Sequence, residues 1–375
     1  MPPRANKAAI GATKRIFHRE TDAKYLLGAH VSASGGVYNA IQNSVDIGAN
    51  AVGCFLKNQR RWESAPYSED DIKKFHHECS THNYNSRTDV LPHGSYLINL
   101  ANPNKEARTK SLNAFIDDLK RCELLGVGLY NFHPGSSLGS DLKESLTRIA
   151  EAINEAINQT TFVKVVLENM AGHGNIIGSK LEELAEVIEQ VKNKDRVGVC
   201  IDTCHTFAAG YDIRTEDKFV EFWNDFDTTI GYKYLSGIHL NDSKAPLGSN
   251  RDLHQNIGLG FLGLESFRLI MNKSELQNIP LILETPPDPK RGDENRAEEI
   301  ELLTWLTGRS ADDEQVISKS IELQERGAEE RKKHQDQFDK KNKPAKAKAG
   351  TTKTQTSLKT TRKRKKEVVT SDEEE

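Results

Sequence analysis

No stretch of this 375-residue chain approaches the roughly 20 consecutive apolar residues that a membrane-spanning helix requires, so the sequence predicts a soluble protein with no membrane partner. The opening residues, MPPRANKAAIGATKRIFHRE, lack the apolar core of a secretory signal. They are basic with a single acid, Glu20, and residues 1–23 read as a flexible basic leader, a mitochondrial presequence being the other reading. Cysteine is scarce: Cys54, Cys79, Cys122, Cys200 and Cys204 form an odd set without framework spacing, which excludes a disulfide scaffold and points to a reducing intracellular compartment. Beyond Lys340 large apolar residues almost vanish. Residues 340–375 therefore cannot bury enough surface to fold and are expected to be disordered.

That tail also hides a charge asymmetry beneath the net charge of −3. From Arg331 to Glu367 there are fifteen Lys or Arg against three acids, a net +12, which leaves −15 on the rest. Within it Arg362, Lys363, Arg364, Lys365 and Lys366 form a compact cluster expected to act as a nuclear localisation signal for an import receptor, placing the protein in the nucleus. Ser371, ahead of the terminal acids, is a plausible phosphorylation site.

What the chain has in quantity is alternation. Eight apolar runs, YLLGAH, AVGCFL, VLPH, LYNFH, FVKVVLE, VGVCID, YLSGIH and PLILE, recur from Tyr25 to Thr285. Between them lie stretches such as Glu106 to Leu125, Glu144 to Ile157 and Lys180 to Val191, whose apolar residues recur at helical spacing. Strand and helix alternating eight times is the pattern of a (β/α)8 TIM barrel, an α/β fold, here over residues 24–308. Residues 309–339 read as a charged, solvated helical extension.

Chemistry in such barrels sits on the loops at the carboxyl ends of the strands. Seven of the eight runs end there on a residue able to bind a metal: His30, His93, His133, Glu168, Asp202, His239 and Glu284. In CIDTCH, His205 follows Asp202 by three residues; in HLNDSKAPLGSNRDLH, Asp252 and His254 stand two apart, so both can point one way in an extended segment. Without His30 this makes nine candidate ligands, five histidines and four carboxylates. One zinc ion takes about four, so nine suit three ions if one carboxylate bridges. The imidazole-rich mixture favours zinc, with manganese or iron also compatible by ligand type. Three such ions would turn an acidic mouth locally cationic, and clustered metals suit phosphodiester hydrolysis. Cys200 and Cys204 flank a strand end as conceivable thiolates, but the ligands around them suffice, and packing is their expected role.

The segments HGSYLINLA, GVCIDTCH and HLNDSKAPLGSNRDLH, supported by GAHVSASGG, KNQRRW, NFHPGS, LENMAG and LILET, resemble the endonuclease IV family of apurinic/apyrimidinic (AP) endonucleases, its fungal members in particular, from about Tyr25 to Trp305. The resemblance implies three zinc ions: one on His93, His133 and Glu168, a second on Glu168, Asp202, His239 and Glu284, a third on His205, Asp252 and His254. It implies hydrolysis of the phosphodiester 5′ to an abasic site in double-stranded DNA, leaving a 3′-hydroxyl and a 5′-deoxyribose phosphate, with removal of blocked 3′ ends as a further activity and a monomeric state. Glu168 and Glu284 would be catalytic, Glu284 either orienting or deprotonating the attacking water or serving only as a ligand. His30 matches no family ligand and is expected to orient one through a hydrogen bond.

An enzyme of this kind flips the abasic nucleotide out and fills the gap with wedges. Arg60, Tyr96 and Leu97 match the family positions that penetrate the duplex, although Tyr96 and Leu97 could equally begin a helix and Arg60 be a surface charge. Lys57, Arg61 and Lys244 are softer phosphate-contact candidates. Leu259 and Leu253 depart from the family pattern and leave loop packing or a DNA contact in question. Two other readings stand beside the endonuclease: a two-metal sugar isomerase on a similar barrel, and a catalytically dead nuclear scaffold acting through its tail.

Overall fold

The computed structural model describes residues 15–342, so the basic cluster Arg362 to Lys366 lies outside the described residues. The chain forms strands β1 (Leu26–His30), β2 (Ala51–Gly53), β3 (Leu129–Phe132), β4 (Lys164–Glu168), β5 (Val197–Asp202), β6 (Leu235–Leu240), β7 (Asp242–Ser243), β8 (His254–Gln255) and β9 (Pro280–Leu283). Seven of them pair in one parallel sheet in the order β2-β1-β9-β6-β5-β4-β3, while β7 and β8 make a small antiparallel ribbon. Eleven α-helices are described: α1 (Asn39–Asp46), α2 (Glu69–Thr81), α3 (Lys105–Leu124), α4 (Leu142–Asn158), α5 (Leu181–Gln190), α6 (Thr203–Ala209), α7 (Glu216–Thr229), α8 (Gly263–Ile270), α9 (Glu294–Leu306), α10 (Glu314–Arg326) and α11 (Ala328–Asn342).

The expected third strand is reduced to a bridging segment. Val90 pairs with Val52, and His93 pairs with Phe55 on one side and Asn131 on the other, so this segment closes the barrel between β2 and β3. Pro92 has no N–H to give to a ladder, and only its carbonyl joins, accepting from the Asn131 amide at 2.9 Å.

Side-chain alternation then places the site. Ala51, Leu91, Val166, Cys200 and Ile282 form a fully buried cluster inside the barrel, separate from the larger core between sheet and helices. His93, Glu168, Asp202 and Glu284 each stand two residues beyond a member of that cluster and so point to the same interior, one layer nearer the mouth. Outside the sheet, α3 begins at Asn104, whose side chain accepts from the Ala107 amide, and buries Phe115, Leu119 and Cys122. Each such side chain contributes about 1.5–3 kcal/mol on burial. All five cysteines are free and buried.

Both ends of the described chain are more tightly bound than the sequence predicts. Phe17 is buried and Arg19 donates to Asn50 Oδ1 at 2.7 Å while stacking on Tyr84, so the end of the basic leader is held to the barrel. The extension is not a solvated helix: it is the helix pair α10 and α11, with Val316, Leu323 and His334 buried and α10 packed on α8.

Candidate metal centre

Ligand atoms of His93, His133 and Glu168 lie within 4.8 Å of one another; so do those of Glu168, Asp202, His239 and Glu284, and those of His205, Asp252 and His254. All nine predicted ligands thus converge in three groups, with Glu168 common to two. Fully buried at the end of β4, Glu168 meets His93 Nε2 at 3.1 Å and His133 Nε2 at 3.5 Å through Oε2, and His239 Nδ1 at 3.1 Å through Oε1. Glu284 Oε2 lies 3.3 Å from His239 Nδ1. The third group takes His205 from the first turn of α6, Asp252 from the loop between β7 and β8, and His254 from the start of β8, both histidine Nε2 atoms lying 3.1 Å from Asp252.

Electrostatics tie the groups together. Burial would raise the Glu168 carboxyl, yet His239 and His133 hold it well below the usual carboxylate range. Burial would raise Glu284 too, but His239, His30 and His93 hold it well below that range. His254 is pushed up to about 9, because Asp202 and Asp252 outweigh its burial, whereas burial takes His133 down to about 4.

The chemistry of these donors suits divalent metal ions. The Nε2 atoms of His205 and His254 are buried and make no hydrogen bond, although carboxylate oxygens face them. Their opposite nitrogens are oriented by backbone carbonyls: His205 Nδ1 lies 2.9 Å from Asn169 O and His254 Nδ1 3.3 Å from Glu284 O, while His93 Nδ1 lies 2.7 Å from Gly94 O. Such contacts fix the tautomer and aim the free nitrogen. Asp202, Cys204 and His254 form a fourth grouping of suitable atoms, but burial pushes the Cys204 thiol well above its usual range, which disfavours a thiolate there.

Several orienting residues escaped the sequence reading. Asn131 donates to Glu168 Oε2 at 2.5 Å, Asn241 donates to Asp202 Oδ2 at 2.7 Å, and Asn169 accepts from the Asp202 amide at 2.7 Å. Each is a buried Asn within two residues of a ligand, and that adjacency was the available signal. His30 Nδ1 lies 3.4 Å from Glu284 Oε1. Phe55, at the end of the one run without a ligand, packs its ring against His30 at 4.5 Å and Tyr96 at 5.7 Å, forming an aromatic wall of the mouth.

Tyr96 begins no helix. It is 61 % exposed, with its ring 5.3 Å from His93 and 5.4 Å from His133. Leu97 beside it is half-buried, and Ser95 Oγ donates to Gln59 O at 2.7 Å, which ties this loop to the one bearing exposed Arg60 and Arg61. Lys57 is different: its ammonium is buried against Asp117 at 2.8 Å and Asp118 at 3.0 Å, so it is a structural ion pair and no phosphate contact. Lys244 lies 3.6 Å from Glu330 of α11.

Glu299 of α9 braces the third group from behind. Buried, it accepts from Thr285 Oγ1 at 2.5 Å, the Ile257 amide at 2.8 Å and Asn256 Nδ2 at 3.1 Å, bridging the end of β9 to the segment after His254. Burial pushes its carboxyl up to about 7. An acid raised in the fold contributes stability that is complete below its unfolded range near 4.5 and is lost as pH rises through about 7. Glu299→Gln should therefore show a smaller fall in thermal midpoint than the parent between pH 5 and pH 8; equal falls would refute the shift.

A family model described as a xylose isomerase-like TIM barrel matches residues 41–307. Apurinic-apyrimidinic endonuclease 1 of Saccharomyces cerevisiae is 53% identical over 294 residues, covering 78% of this chain and 79% of that protein. Probable endonuclease 4 of Campylobacter curvus is 49% identical over 269 residues, covering 72% of this chain and 95% of its own length. Among solved structures, endonuclease IV from Thermus thermophilus superposes with a TM-score of 0.65 at 30% identity, covering 74% of this chain and 98% of that one.

Proposed function

The chain belongs to the endonuclease IV family of AP endonucleases, which makes it a DNA-repair hydrolase, and we propose that it uses three zinc ions to cut 5′ to abasic sites. The observation that carries this reading is the meeting of three ligand groups around one buried carboxylate, Glu168. Zinc ions held by these groups would supply an acidified water together with positive charge opposite the attacked phosphate and the leaving oxygen.

The chain's own residues do the rest. Glu284, held ionised by His239, His30 and His93, is the group to orient the attacking water by accepting its hydrogen bond. Asn131 and Asn241 fix the carboxylates of Glu168 and Asp202, so that neither must reorganise during the reaction. Arg60, Tyr96 and Leu97 stand on two linked loops at the rim, suited to fill the gap left by a flipped abasic nucleotide. Products are a 3′-hydroxyl and a 5′-deoxyribose phosphate; blocked 3′ ends are a second substrate of the same site. The enzyme acts as a monomer in the nucleus, carried there by an import receptor that reads Arg362 to Lys366.

A duplex carrying one tetrahydrofuran abasic analogue should be cut on the 5′ side by protein that retains three zinc ions per chain, measured on the same preparation. Metal without cleavage would turn the search to sugars, the substrates of the isomerase reading, which gives no work to His205, Asp252 and His254. Absence of metal would favour a scaffold.

A further inference from the structure

The extension that follows the barrel reaches the least enclosed part of the site. Asp252 is the most exposed ligand, its side chain 46% accessible, and it lies on the loop between β7 and β8, two residues before His254 at the start of β8. The neighbour of each is held by α11. Arg251, preceding Asp252, donates to Gln337 Oε1 at 3.2 Å, and Gln255, following His254, donates to Glu330 Oε2 at 2.5 Å. Further along, Gln324 of α10 donates to the carbonyls of Gly258 at 2.7 Å and Gly260 at 3.1 Å, while Arg331 donates to Leu259 O at 2.7 Å and to Gln324 O at 2.6 Å. Three successive loop carbonyls thus find donors in the extension. Contact is close: a Cβ on Gly258 would lie 2.7 Å from Leu323, and one on Gly327 would lie 2.0 Å from Leu259 O.

From this we infer that α10 and α11 are a strut that holds the third metal site together, with Glu330 and Gln337 as its positioning residues. The inference rests on the zinc reading above. The six ligands of the first two groups stand at or beside the ends of the barrel strands and bridges, but Asp252 lies on a loop, and His254 on the short strand after it, whose flanks are fixed from outside the barrel, beyond the residue 307 at which the family match ends. Groups that orient ligands without touching the metal are typically worth about 10- to 100-fold in metal affinity.

The test is zinc retention by the full chain against a competing chelator, read as ions lost per chain, beside far-UV circular dichroism. Glu330→Ala combined with Gln337→Ala, both at the surface of α11, should release one ion about tenfold more readily while the other two and the helical signal stay as in the parent. Glu330→Gln combined with Gln337→Glu keeps both acceptors and should restore retention. Double-alanine protein that holds all three ions like a three-ion parent would overturn the strut alone, as would uniform loss of all three. A parent that binds fewer than three would instead overturn the zinc reading.

Discussion

Glu284→Gln is expected to slow incision of an abasic duplex by about 10²- to 10⁴-fold while leaving duplex binding within a few-fold of the parent. The substitution keeps the volume of the side chain at the end of β9 and removes only its charge. That charge is what His30 Nδ1 at 3.4 Å and His239 Nδ1 at 3.3 Å face, and an amide can neither hold the attacking water as a carboxylate does nor balance those rings. Arg60, Tyr96 and Leu97 lie on other loops, so the surface offered to the duplex is unchanged. Single-turnover cleavage and anisotropy titration of the same labelled duplex separate the two effects. Full activity in the variant would falsify the role given to Glu284, and parallel loss of binding would show that the carboxylate acts through DNA contacts instead.

The sequence made this prediction available because a barrel converts one-dimensional order into a ring. Seven of the eight apolar runs end on a residue able to bind a metal, and the period of two along a strand aims His93, Glu168, Asp202 and Glu284 where Leu91, Val166, Cys200 and Ile282 already point. The same logic has no purchase where partners are distant in sequence. Lys57 looks like any basic loop residue until α3 brings Asp117 and Asp118 against it. The extension reads as a charged solvated helix because its binding groups, Gln324 and Arg331, contact backbone carbonyls, which carry no sequence signature. Pro92 was visible, yet its effect on the third strand depends on which neighbours need its missing N–H. The buried asparagines around the ligands carry no signal of their own because an Asn is usually solvated, and only the fold shows that Asn131 within β3, Asn169 and Asn241 are not.

Asp242 is the most consequential of these silent residues. Fully buried after His239, it accepts five backbone N–H groups: Ser243 at 2.7 Å and Leu262 at 2.9 Å on Oδ1, and Gly258 and Gly260 at 3.0 Å with Gly263 at 3.2 Å on Oδ2. The loop after His254 winds around this one carboxylate. Gly258 and Gly263 take positive φ to do so, and at Gly260 a Cβ would fall 2.2 Å from Oδ1. Asp242→Asn changes a single atom, but whichever way the amide turns, its NH2 confronts two or three N–H groups that have no other acceptor nearby. At about 1–3 kcal/mol for each buried donor left unmet, the variant should lose at least about 2 kcal/mol. For a barrel of this size that is a fall of roughly 3 °C or more in thermal midpoint. Faster hydrogen exchange should be confined to the amides of Ser243 and residues 258–263, because the strands of the barrel keep their own partners. The loop that loosens is the one that follows His254, so zinc retention should fall by one ion in step with that exchange. Unchanged midpoint and exchange would mean that the loop is held from its outer side alone, by Gln324 and Arg331.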